Sequence, residues 1–119
     1  MPMKEVSYGA QPPVDGYGIG GFRISGEIYR GAVLIGPAGA ALWDGDPAAL
    51  ETFAKGLDVV IFGAGDAMAD PPEALAAALD AADAPYESMA TPAACRTYNV
   101  LLSEGRKVGA ALIPVDHAQ

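Results

Sequence analysis

The order of patterns along this chain predicts a single α/β domain over residues 1–119, with a mixed β-sheet in which N-terminal strands are followed by alternating helices and strands. Three observations lead there. The first forty or so residues alternate short apolar runs with glycine, as strands joined by tight turns do. From Asp46 onward three helix-start signals, Asp46-Pro47, Asp70-Pro71 and Thr91-Pro92, alternate with short apolar runs. The 119 residues are 51% hydrophobic and 18% charged, enough apolar material for one core and too little charge for a disordered chain.

Gly21-Phe22-Arg23-Ile24-Ser25-Gly26 alternates apolar and polar residues and reads as a strand covered on one face. Gly31-Ala32-Val33-Leu34-Ile35-Gly36 is apolar throughout, as in a strand buried on both faces, and Ala40 to Trp43 forms one more short strand. Asp46 caps a first helix with Pro47 in its first turn, and Leu50, Phe53, Ala54 and Leu57 share one face before Gly56 stops it. Asp58 to Gly63 reads as a buried parallel strand. Asp70, Pro71 and Glu73 begin a second helix with the stripe Leu75, Ala78, Leu79 and Ala82. Tyr86 to Met89 is a strand, Thr91-Pro92 caps a third helix running to about Glu104, Gly105 ends it, and Lys107 to Pro114 is the last strand. Three consecutive crossovers predict parallel neighbours, with the leading strands antiparallel. Leu50, Phe53, Ile61, Phe62, Leu79, Leu101 and Ile113 are the expected core, and Asp116 to Gln119 a loose tail.

Seven basic against fifteen acidic residues give a formal charge of -8, which repels polyanions and disfavours nucleic acid as a partner. One cysteine, Cys95, excludes an intramolecular disulfide. Met1 to Tyr8 has no apolar signal core, and no apolar run approaches the ~20 residues that span a bilayer, so a cytoplasmic protein without membrane insertion is expected.

Gly16-Tyr17-Gly18-Ile19-Gly20-Gly21 matches the dinucleotide fingerprint in letters, but a strand follows it where the fingerprint needs a helix, so a glycine turn is expected and no cofactor. Gly63-Ala64-Gly65-Asp66 leaves a buried strand ahead of a helix and could hold an anion on its backbone N–H groups, although Asp66 opposes one; a glycine-rich strand-to-helix turn explains it better, because no P-loop lysine follows and Pro71 and Pro72 remove two amide donors. On the third helix, Ala94, Tyr98, Leu101 and Leu102 face the sheet, while Arg96, Asn99 and Ser103 lie on the other side as a clamp for an anion or as a solvated face. Cys95 has no base beside it, and one His with one Cys cannot build the common zinc or triad sites, so no catalytic or metal residues are assigned.

Tyr17-Gly18 with Gly21-Phe22, Gly31 to Ile35, Trp43, Phe62 to Gly65, Met89-Ala90-Thr91, Ala94 to Asn99, Glu104-Gly105-Arg106 and Ala110 to Pro114 together resemble the domain of unknown function 498 family, which includes the mitochondrial complex I assembly factor 3 type proteins. The resemblance implies a small three-layer α/β fold and a non-enzymatic binding or assembly role through protein–protein contacts. Ala64 stands where the family often has threonine. The alternative is a small-molecule or anion-binding protein, even an enzyme, with Gly63, Gly65, Thr91, Arg96 and Asn99 gathered at one end of the sheet. For a protein partner the expected anchors are exposed aromatics, Trp43 above all, with Tyr17 and Phe22 behind it and Phe22 better suited to the core.

Overall fold

The computed structural model describes residues 11–117. Three short strands, β1 (Gly16–Gly18), β2 (Gly21–Ile24) and β3 (Glu27–Arg30), form an antiparallel meander of their own. The remaining strands, β4 (Val33–Gly36), β5 (Gly39–Leu42), β6 (Val59–Gly63), β7 (Tyr86–Met89) and β8 (Val108–Leu112), form a five-stranded sheet in the order β5-β4-β8-β6-β7. Its β5-β4-β8 half is antiparallel and its β8-β6-β7 half parallel. Helices α1 (Pro47–Ala54), α2 (Glu73–Ala81) and α3 (Thr91–Ser103) make the crossovers.

The pleat sorts side chains into two cores. Val33 and Ile35 of β4, Ile61 of β6, and Val108, Ala110 and Leu112 of β8 meet Ala94, Cys95 and Tyr98 of α3 together with Phe22 and Ile24 of β2. Val60, Phe62 and Ala111 point the other way, onto Leu50 and Ala54 of α1 and Leu75, Ala78 and Leu79 of α2. The molecule is thus three layers: α1 and α2, the large sheet, then α3 beside the small sheet. Each large side chain fully buried this way contributes roughly 1.5–3 kcal/mol.

Several expectations are modified. The leading strands do pair antiparallel, but divide between two sheets. Of the three crossovers only β6-α2-β7 joins neighbours, because β8 inserts between β4 and β6; β5-α1-β6 passes over two strands and β7-α3-β8 over one, both keeping direction. Asp46 caps α1 through the Ala48 amide as expected. Helix α2 begins only at Glu73, since Pro72 holds an extended backbone with ψ 153°, and Asp70 caps nothing there. Leu50, Ile61, Phe62 and Leu79 are buried; Phe53, Leu101 and Ile113 are half-buried at the margins of the two cores. Phe53 lies over Gly36 and Gly109, where a side chain on either glycine would collide with its ring.

The segment before β1 is strapped onto α3. The Asn99 side chain accepts from the Val14 amide at 2.8 Å and donates to the Val14 carbonyl at 2.9 Å. The Tyr98 hydroxyl donates to the Pro12 carbonyl at 2.7 Å. Gln11 Nε2 donates to the Tyr98 hydroxyl and, at 2.6 Å, to the Val108 carbonyl.

Candidate functional site

At the end of β6 the structure brings together Gly63, Gly65 and Thr91, and it uses their polar atoms internally. Thr91 is completely buried; its Oγ1 accepts from the Gly65 amide at 2.8 Å and donates to the Ile113 carbonyl at 2.6 Å. The residue therefore ties three chain segments together and does not cap its own helix, whose N-cap is Ala90. A side chain on Gly63 would meet Thr91 Oγ1 at 2.9 Å, Leu112 at 3.0 Å and Ala94 at 3.1 Å, and Gly65 has φ +98°, so packing and backbone geometry both require glycine.

The tail reaches this end as well. The Asp66 carboxylate accepts from the Asp116 amide at 2.9 Å and the His117 amide at 3.3 Å, and lies 2.6 Å from His117 Nδ1. The hydrogen bond to His117 holds the Asp66 pKa below its ordinary value, and the same bond raises that of His117. Asp116 and His117 are thereby held, contrary to the expectation of a loose tail over Asp116 to Gln119, whose last two residues lie outside the described ones. The imidazole pairs with Asp66 rather than with Cys95.

The expected clamp on α3 is not assembled: Ser103 donates its hydroxyl to the Val100 carbonyl at 2.7 Å. Arg96 is exposed, while Asn99 spends its amide group on the backbone of Val14 and so fastens the strap. Burial pushes the Cys95 thiol up to about 12 against a small opposing pull from Arg96, so the sulfur stays protonated and acts as core. Trp43, expected to stand free, is buried at 7% exposure among Leu50, Phe62 and their neighbours, with Nε1 donating to the Asp46 carbonyl at 3.1 Å. The cause is α1: its Leu50 and Ala54 pack in the same cluster as the indole, and the carbonyl of its N-cap Asp46 takes the indole N–H. Phe22 is core, as the alternation on β2 suggests.

A different surface is left open. The register of the small sheet puts Gly16, Arg23 and Ile28 in one row across the three strands and Gly18, Gly21 and Arg30 in the next. Both rows face away from the core, because Phe22 and Ile24 face into it. Three glycines in six positions leave a groove of about 260 Å³ floored by backbone, with Arg23, Ile28 and Arg30 as its side-chain walls. Ile19 at 67%, Ile28 at 53% and Tyr17 at 37% exposure border it. Neither guanidinium has an ion-pair partner among the described residues.

A family model described as a protein of unknown function, DUF498/DUF598, matches residues 14–113. The chain belongs to this family. As a DUF498 protein it is 44% identical to an uncharacterized protein of Rhodobacter capsulatus over 99% of this chain and 97% of the relative. Its fold is similar to that of an outer membrane protein from Bartonella henselae, with TM-score 0.78 and 32% identity over 89% of this chain and 97% of the other. It is also similar to a Bordetella parapertussis protein at TM-score 0.75 and 30% identity, covering 91% and 99%. A Bordetella pertussis protein described as a Mth938-like domain matches at TM-score 0.71 and 26% identity, covering 100% and 95%. Within this DUF498 chain no helix is long and apolar enough to cross a membrane, among the described residues.

The glycine motif at 16–21 reads in sequence as a turn, which leaves its outer face unseen. The signal was present as a period of two: Gly16, Gly18, Gly21 and Arg23 fall on one side of a hairpin once a strand pairs Gly18 with Gly21. Reading it needed β1, which a run of alternating glycines conceals because glycine disfavours strands.

Proposed function

We propose that this DUF498 protein is a non-enzymatic binding protein that works through protein–protein contacts, and that the outer face of its small sheet is the contact surface. The observation that carries the reading is the pair of large apolar side chains left in solvent there, Ile19 and Ile28, with Tyr17, which shares the row of Phe22, at the rim of the groove, beside two arginines that have no ion-pair partner among the described residues. Aromatic, aliphatic and arginine side chains around a depression are the composition of an interface centre. The β6 end offers an anion less, since Thr91 and the Gly65 amide bond to one another and the Asp66 carboxylate lies beside them.

The test is site-directed photo-crosslinking in native extract, with the crosslinker placed at Ile28 and, for comparison, at Met68, an exposed apolar residue of the loop before α2. A protein adduct specific to position 28, whose purified form binds the wild-type chain and not Ile28→Glu, is the expected result. Identical adducts from both positions, or none at 28, would overturn the assignment.

A further inference from the structure

We propose that the groove of the small sheet receives an extended peptide segment carrying acidic residues at alternate positions, its backbone lying over Gly16 and Gly18 and its carboxylates pairing with Arg23 and Arg30. This deepens the protein-contact reading, on which it rests, by naming the chemistry of the partner.

The fold itself requires two of the four glycines in this stretch. Gly20 has φ +80°, and a side chain on Gly21 would run into the Tyr29 carbonyl, so both are set by the β1-β2 turn and its packing on β3. Gly16 and Gly18 are different. Neither has a left-handed backbone, and a Cβ on either would meet nothing within 4 Å. A strand pays in conformational entropy and lost packing for each glycine it contains, and an unforced glycine inside a strand marks a place where another backbone or a ligand comes close.

Charge then selects the visitor. The chain carries -8 overall, yet two of its seven basic residues stand on this small face without a carboxylate among the described residues to neutralise them. Guanidinium forks bind carboxylates in a planar, two-bond geometry. Arg30 lies diagonal to Arg23, two residues beyond Ile28, the residue directly opposite Arg23. Side chains so related on neighbouring strands start about 7 Å apart. Alternate residues of an extended peptide are also separated by about 7 Å and point to the same side. A Glu-x-Glu or Asp-x-Asp segment therefore matches both arginines at once, with Ile28 between them as the apolar contact.

The probe is the N-acetylated, C-amidated peptide Ser-Glu-Val-Glu-Ser-Gly, titrated into the full chain at low salt and followed by amide NMR. Shifts centred on Gly16, Gly18, Arg23 and Arg30 are expected, with affinity about tenfold weaker in Arg23→Gln/Arg30→Gln. Gly18→Leu, which fills the groove where the structure has open space, is expected to block the peptide while leaving the thermal midpoint and the other amide signals in place. Shifts elsewhere, or binding that survives both variants, would overturn the proposal. Equal binding of the peptide with glutamine for glutamate would overturn its acidic preference and leave the contact surface standing. Equal binding of glutarate or inorganic phosphate would make the groove a small-anion site and refute the peptide. Failure of the contact reading has its own signature: the peptide binds, but crosslinking from Ile28 captures no partner.

Discussion

Gly63 and Gly65 on one side of the molecule, and Gly16 and Gly18 on the other, are glycines under opposite constraints. At the β6 end a side chain would strike Thr91, Leu112 and Ala94, or have to adopt φ +98°. On β1 a side chain would enter empty space from an ordinary strand backbone. The first pair is explained by folding alone, and the polar atoms around it are already partnered within the protein. The second is left unexplained by folding, and the cations beside it are free of partners among the described residues. A glycine-rich motif points to a binding surface only after the glycines that packing and backbone geometry demand have been subtracted.

The strongest way to break this comparison is Thr91→Val, which keeps the shape and removes the hydroxyl. If Thr91 is structural, the Gly65 amide and the Ile113 carbonyl lose their partner inside the protein, and stability should fall by about 2–4 kcal/mol in a denaturant melt. A change within a few tenths would mean that the buried hydroxyl is spare and the β6 end is open to a ligand after all.

A paired substitution sharpens the comparison. Gly63→Val should cost about 1–3 kcal/mol by overpacking against Thr91, Ala94 and Leu112. Gly18→Val should change stability by less than about 0.5 kcal/mol, as surface substitutions do. The reverse order in chemical denaturation would remove the ground for treating β1 as the functional face.

The smallest effect concerns the tail at the β6 end. The contact between Asp66 and His117 holds while the carboxylate is ionised and the imidazole protonated. It is therefore lost as pH rises through the raised pKa of His117 and, at the acid side, as pH falls through the lowered pKa of Asp66. NMR titration of the His117 ring should give a pKa above the ordinary histidine value, returning toward it in Asp66→Asn. An unchanged titration in that variant would show the tail is not held by Asp66.

Most elements were legible because each has a local cause. Asp46-Pro47 starts a helix by capping, Gly105 ends one, and the apolar run Val59–Phe62 has no polar face to turn outward. Sheet order was not legible, because nothing in the residues of β8 names β4 and β6 as its neighbours; that choice belongs to the packing of whole layers. The duty of Thr91 was not legible either, since a threonine before proline reads locally as a cap, whereas here its hydroxyl reaches two distant segments. Asn99 misled for the same reason: its partner is Val14, 85 residues away. Trp43 was misplaced because its cover comes from α1, whose Leu50 and Ala54 pack in the same cluster as the indole.

The insertion of β8 between β4 and β6 has a consequence for the order in which the protein can be made. The strand that joins the antiparallel half of the large sheet to the parallel half is the last of the eight to be synthesised. Until Val108–Leu112 leaves the ribosome, β4 and β6 each present an unpaired inner edge, and those bare edges are templates for pairing with other chains. The meander β1–β3 and the hairpin β4-β5 consist of local contacts and can form early, but the sheet that both depend on closes only once β8 has been made. A nascent chain stalled before Val108 should therefore be far more prone to aggregate than one in which β8 has emerged.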